Sequence, residues 1–270
     1  MSIHTTEESA ILLRHDADGV ATLTLNHPEK INPLSEEMLA ALQQQLDAIA
    51  DDRRVRAVIL RGAGKAFCAG HDLRQMTAAR QAEDGGAAYF RTLFGTCTNV
   101  MTSIRNLPQP VIAQVHGIAT AAGCQLVATC DMAIAAEGTR FGVNGVNIGL
   151  FCSTPMVALS RNIPRKQAFE MLTTGSFVSA ERAAEIGLVN RVVPYATLDE
   201  HTQALAQTVA SKLSAAVTYG KQAFYQQLEM DVDAAYAFTG EVMATNMAEP
   251  DTEEGIAAFL EKRDPRWKNP

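Results

Sequence analysis

Short apolar runs that each end in a glycine or a turn, followed by a helical pattern, are the feature that most restricts the fold. "GVATLTLN" (19–26) alternates and is rich in Val, Leu and Thr, as a strand requires. "VRAVILRGAG" (55–64), "PVIAQVHG" (110–117), "DMAIAAE" (131–137) and "GLVNRVVP" (187–194) are further strands on the same grounds. Between them lies "NPLSEEMLAALQQQLDAIADD" (32–52), with Ser35 placed as an N-cap and Glu36 and Glu37 in the first turn. Its apolar positions Met38, Leu39, Leu42, Leu46 and Ile49 recur at helical spacing. Strands alternating with helices predict an α/β fold with a largely parallel sheet.

The pattern changes after Pro194. Residues 198–229 and 232–262 carry helical periodicity with almost no strand signal. The expected division is therefore a core over residues 1–197 and a helical region over 198–270. The second part is too small to bury a core alone, so it is expected to pack on its own core or on a neighbouring subunit. "RQMTAARQAEDGGAAYF" (74–90) is polar and carries two glycines, so it reads as a mobile segment over a site or as an ordinary surface loop and helix.

Composition narrows the functional classes. With 47% hydrophobic and 20% charged residues this is an ordinary globular composition, and the net charge of −7 argues against a nucleic-acid partner. The five cysteines are odd in number and spaced for neither a disulfide framework nor zinc, so reduced thiols and no metal are expected. No apolar run approaches a membrane span. The first nineteen residues are polar and acidic, without a secretory core or an Arg-rich transit character. A cytoplasmic location is the resulting expectation.

Two segments are suited to chemistry. "GAGKAFCAGHDLRQM" (62–76) runs from a strand into small residues and then Ala69-Gly70-His71-Asp72. "GIATAAGCQLVATCD" (117–131) leads small residues into an apolar helix. Such turns let bare backbone N–H groups face a ligand. Two of them facing each other would form an oxyanion hole, a device in which one donor is worth about 3–4 kcal/mol. Small-residue turns also serve close packing alone, and spacing does not decide between the two.

"KAFCAGHDL", "PVIAQVHGIATAAGCQLVATCDMAIAA", "FGVNGVNIGL" and "LTTGSFVSAERAAEIGLVNRVVP" together resemble the crotonase, or enoyl-CoA hydratase/isomerase, superfamily. The resemblance runs from about residue 12 to the "GIAAFLEKRDPRW" end. Within it, "HGIATAAGCQLVATCD" followed by "GVNIGLFCSTP" is most similar to the group called enoyl-CoA hydratase domain-containing protein three. The resemblance implies a crotonase-like ββα spiral with a C-terminal helical trimerisation region, assembling as a homotrimer or as a hexamer of two trimers. It implies a coenzyme A thioester as substrate and no permanently bound cofactor. The oxyanion donors would be the N–H groups of His71 and Ala122. Lys30 and Ile31 would line the nucleotide, the Ala69 carbonyl would face the adenine, and Arg74 would meet a phosphate. Asn144 and Ser153 fall at pocket positions. Phe259 and Lys262 lie in the helix that, in relatives, reaches over a neighbour's coenzyme A.

Departures from the family pattern bear on activity. The two hydratase glutamates align with Gln125 and Gly145, so neither carboxylate is present. An amide holds a water but does not take its proton at neutral pH, and general acid–base groups contribute about 10²–10⁴-fold each. The nucleophilic aspartate of the dehalogenase branch aligns near Ser153. Naphthoate synthases, which resemble the "FGVNGVNIGLF" frame, also carry glycine at 145, and some place bicarbonate there. A small anion beside Gly145, Gln125 and Asn144 is therefore one expected base. Three readings stay open: a lyase or isomerase, an acyl-CoA thioester hydrolase, and a non-catalytic acyl-CoA-binding protein. His71 offers a ring as acid or base as well as its N–H. Cys124 combines a helix N-terminal position, which lowers a thiol pKa, with the character of a small core residue. Asp72 and Asp131 are expected to cap or brace turns.

Overall fold

The computed structural model describes residues 10–268. The outermost part of the N-terminal leader reading, residues 1–9, lies outside them. In chain order the strands are β1 (Leu12–Ala17), β2 (Val20–Leu25), β3 (Ala57–Gly62), β4 (Val111–Val115), β5 (Ile118–Thr120), β6 (Met132–Ala136), β7 (Arg140–Gly142), β8 (Val178–Ser179) and β9 (Arg191–Val193). The larger sheet has the order β1-β2-β3-β4-β6-β9, and a smaller one has β5-β7-β8. Only β1 runs antiparallel in the larger sheet.

The chain visits the two sheets in turn. β4 pairs in the large sheet, β5 follows in the small one, and helix α4 closes the circuit; β6 and β7 repeat the path. The preceding circuit runs from β3 to Cys68, which bridges Ala119 of β5. Each circuit is thus a ββα turn, and stacked turns make a spiral. The middle strands read as continuous apolar runs because both faces are buried; β4 has no exposed residue.

The helices are α1 (Glu36–Ala50), α2 (Leu73–Ala79), α3 (Ala87–Asn106), α4 (Ala122–Thr129), α5 (Pro155–Asn162), α6 (Arg165–Thr174), α7 (Ala180–Glu185), α8 (Leu198–Ala210), α9 (Ser214–Gln227), α10 (Val232–Met247) and α11 (Pro250–Glu261). Ser35 caps α1, its hydroxyl accepting from Met38 N, and all five predicted apolar positions of that helix are buried. The predicted strand 187–194 is shorter than expected, because Asn190 leaves the ladder to bond Ala133 N through its side chain. The segment 74–90, read as a mobile segment over a site or as an ordinary surface loop and helix, comprises most of α2, a turn over 80–86 and the start of α3. The Asp72 carboxylate caps α2 by accepting from Arg74 N and Gln75 N. Gln75 ties the same helix to α1, its amide oxygen accepting from Glu36 N and its amide nitrogen donating to Glu37. Among the described residues no helix is long and apolar enough to cross a membrane.

A buried charge joins the C-terminal helices to the spiral. Lys221 of α9 donates all its ammonium protons: to Ile104 O at 2.9 Å, Gln109 O at 3.0 Å and Asp131 Oδ2 at 2.7 Å. Asp131 also accepts from Val111 N at 2.6 Å and Tyr225 OH at 2.8 Å. The side chains are only 5% and 12% exposed, and the pair is held there by three hydrogen bonds from the ammonium and three to the carboxylate. α8 lies across β3, β4 and β6, with Ala206 and Ala210 packed on Ile59 and Ile112. Removing one member of such a pair strands the other. Lys221→Ala is therefore expected to destabilise the fold by about 3–5 kcal/mol in urea unfolding; a loss below about 1 kcal/mol, the scale of an exposed pair, would refute this account of the pair.

Candidate active site

Residues 67–71 run between two other segments and bond to both. On one side Ala69 N donates to Ile31 O at 3.0 Å and Leu34 N donates to Gly70 O at 2.8 Å. On the other side Phe67 N donates to His116 O, Cys68 N to Ile118 O and Thr120 N to Cys68 O. This pairing brings Ile31, Ala69, His71 and the 120–122 turn to one place. Asn32 locks it from below. Its side chain is fully buried, accepts from His27 N, and donates to Ala63, Ala66 and Phe67 carbonyls. Its own backbone is left-handed at φ 48°.

The 69–72 and 120–123 turns touch. Gly70 has φ +89°, and a Cβ there would stand 3.2 Å from Ala122 N and 3.1 Å from Thr120 O. Only glycine permits both that dihedral and that approach. Ala121, just before the donor position, has φ 51° and ψ −120°, a region nearly reserved for glycine. Holding alanine there costs about 1–3 kcal/mol, and such strain gathers at functional turns. Ala122 is the first residue of α4, so its N–H is one of the helix's orphan donors. Among the described residues no hydrogen bond engages the N–H of His71 or of Ala122.

The side chains around this junction are neutral. Gln125 lies one turn into α4, is 5% exposed, and its buried Oε1 has no partner within the chain. Pairing of β5 with β7 carries Asn144 and Gly145 alongside. Asn144 Oδ1 accepts from Thr120 Oγ1 at 2.6 Å, which turns its amide N–H groups away from that bond. A Cβ at Gly145 would meet Leu150 O at 2.3 Å and Cys152 Sγ at 2.9 Å. The space a side chain needs at that position is filled by the 150–152 segment. Ser153 is exposed, and its hydroxyl turns back to Phe151 O.

His71 brings an ionisable ring to the junction. Its Nδ1 lies 3.2 Å from Leu34 O, and its ring meets Phe94 edge-on at 5.6 Å between centroids. Burial holds its pKa below the usual 6.5, with the Leu34 carbonyl opposing that effect. The imidazole is therefore neutral at pH 7. Cys124 is fully buried, and burial pushes its thiol up to about 12, which assigns it to the core and not to nucleophilic chemistry. All five cysteines are buried and free.

The remaining predicted residues divide by position. Ile31 sits in a left-handed turn at φ 64° beside Ala69, and Lys30 is exposed just before it. Arg74 is exposed in the first turn of α2. Phe259 is 82% exposed on α11, and Lys262 ends that helix in a left-handed conformation. Among the described residues no hydrogen bond joins either of them to the two turns. Asn32 and Gln75 escaped the sequence reading. A polar residue ahead of a proline, as in "INP", was the available signal for Asn32; Gln75 carried none.

Comparison with known proteins agrees with this architecture. The enoyl-CoA hydratase/isomerase family profile matches residues 15–270. The human enoyl-CoA hydratase domain-containing protein 3, mitochondrial, is 46% identical over 252 residues, which is 93% of this chain and 82% of that protein. A short-chain-enoyl-CoA hydratase of Clostridium acetobutylicum is 34% identical, with 90% of this chain and 92% of that protein covered. Among solved structures, an enoyl-CoA hydratase of Mycobacterium smegmatis superposes with a TM-score of 0.91 at 55% identity, covering 95% of this chain and 98% of that one. The solved human domain-containing protein 3 gives 0.90 at 46% identity, covering 95% and 100%. The cytoplasmic expectation is overturned by these relatives, since those from human, rat and frog are named mitochondrial. Buried reduced thiols and a lack of long apolar helices suit any reducing compartment, so composition did not discriminate between them. The chain belongs to the enoyl-CoA hydratase/isomerase family and has the crotonase fold.

Proposed function

We propose that this protein binds a coenzyme A thioester at the junction of the two turns and polarises its carbonyl with the N–H groups of His71 and Ala122. The close approach of the Gly70 turn to Ala122 N supports this reading, because the neighbouring N–H groups of His71 and Ala122 have no partner among the described residues. Donors fixed in advance at a developing oxyanion cost no reorganisation during reaction, which is why such pairs lower barriers. Ile31 and Ala69 present backbone to the nucleotide, with Lys30 and Arg74 supplying positive charge to its phosphates. Phe259 and Lys262 contribute from α11, in a homotrimer or a dimer of trimers. Exposed apolar residues on the C-terminal helices, among them Tyr236 and Met243, support that assembly.

The reaction class is lyase or isomerase chemistry through a thioester enolate, with hydration of enoyl-CoA slow for want of both glutamates. The neutral set of Gln125, Asn144 and Gly145 also favours a second reading, binding without turnover. Hydrolysis is distinguished from both by release of free coenzyme A. If bicarbonate or another small anion near Gln125 and Asn144 is the base, turnover in degassed buffer will rise when bicarbonate is added; an unchanged rate removes that base.

Two measurements test the main reading. Infrared difference spectra with carbonyl-labelled butyryl-CoA should show the thioester stretch at lower frequency when bound; binding with an unshifted stretch removes the oxyanion hole. Restoring a carboxylate separates the two lost positions. Gln125→Glu is expected to raise crotonyl-CoA hydration by about 10²-fold, the lower range for a general base. Gly145→Glu is expected to give no gain and a lower melting temperature, because Leu150 O occupies the place of its Cβ. A gain from Gly145→Glu alone would contradict this packing.

A further inference from the structure

The junction needs a proton acceptor, and both family carboxylates are absent. His71 is bonded in a way that supplies one. The Leu34 carbonyl only accepts, so Nδ1 at 3.2 Å carries the proton of the neutral ring. That choice leaves the lone pair on Nε2. Nε2 is buried and has no hydrogen-bond partner within the chain. Buried acceptors without donors are rare in folded proteins and call for a specific explanation. Gln125 Oε1, on the helix that follows the turn touching the His71 turn, is a second unpartnered acceptor.

Among the described residues no ion pair engages the ring, and burial and the Leu34 carbonyl are what shift it. From its own turn, Asp72 is committed to capping α2; from α1, Glu37 is held by Gln75; from α3, the contact is the Phe94 ring. The backbone N–H and Nε2 of one histidine lie a few covalent bonds apart. So do the carbonyl oxygen and the β-carbon of an enoyl thioester. The reach from the His71 amide to Nε2 is therefore comparable to that from a held thioester oxygen to its β-carbon.

We propose that the His71 imidazole is the general base of this site, acting through Nε2 on a water that adds to the β-carbon of an enoyl-CoA. This rests on the thioester-binding reading above. The water oxygen bonds to the β-carbon as its proton passes to Nε2. The π electrons of the double bond move through the α-carbon onto the carbonyl oxygen, which the His71 and Ala122 N–H groups hold. The enolate then collapses, and the imidazolium returns its proton to the α-carbon. One water is added across the double bond, and no oxidant or reductant is needed. Gln125 orients the water by accepting its second proton in a hydrogen bond.

Substitution at 71 leaves the backbone donor in place, so it isolates the ring. His71→Ala and His71→Gln are compared with the parent in crotonyl-CoA hydration, with butyryl-CoA binding followed by calorimetry. Both variants should bind butyryl-CoA as the parent does, and kcat should fall by about 10²-fold or more, the range for loss of a general base. The neutral ring is the active form, so parental kcat should fall as pH drops through an apparent pKa below 6.5, and that limb should vanish in both variants. His71→Gln keeps an acceptor without basicity, so full activity in it would overturn the proposal. So would parental kcat and pH dependence in His71→Ala, or a parent that binds butyryl-CoA but does not hydrate crotonyl-CoA. Failure of the parent to bind butyryl-CoA would instead refute the thioester reading itself.

Discussion

The pairing of residues 67–71 on both of their edges is the constraint on which the site depends. A parallel strand edge offers alternate N–H and C=O groups, and here both edges are used, one by 31–34 and the other by 116–120. The register of this short strand fixes where Gly70 meets the start of α4. Asn32 then removes the remaining freedom of the 63–67 loop by taking three carbonyls at once. A slip of one residue would exchange the faces of Ala69 and Gly70 and place a methyl group against Ala122 N. The geometry of the donors is thus a backbone property. It tolerates wide variation of side chains around it, which fits a family that changes its chemistry while keeping its fold.

Strain is concentrated where this register ends. Ala121 occupies a conformation suited to glycine, held by its N–H to Gly142 O and by its carbonyl accepting from Gln125 N. Both bonds come from elements on either side of the turn, β7 and α4. The surrounding structure over-determines the dihedral, which is how a strained residue persists.

The large sheet was legible because its strands are apolar and β-branched and end in glycines. β5, β7 and β8 were not, since two or three residues carry no periodicity. β1 escaped for a different reason: "LLRHDA" is an edge strand whose outer half is exposed, so polar residues mask the pattern. The polarity and glycines of 74–90 left open a mobile segment or an ordinary surface loop and helix, whereas Asp72 and Gln75 supply the cap and the tether that hold α2. At the site, the small-residue turns and Gln125 were visible in the sequence. Their contact was not, because it depends on pairing across some fifty residues. Lys221 was invisible for the opposite reason. A lysine in an amphipathic helix usually faces water, and only the ends of α3 and α4 make its burial favourable.

That lysine has a consequence for how the molecule comes apart. Its ammonium gathers the last turn of α3, the approach to β4 and the residue just before β6, while its own helix belongs to the C-terminal quarter. Peeling that quarter away would strip Asp131 of Lys221 and Tyr225 and leave its charge with Val111 N alone. Partial opening is therefore disfavoured, and spiral and tail melt as one cooperative unit although they look separable in the sequence.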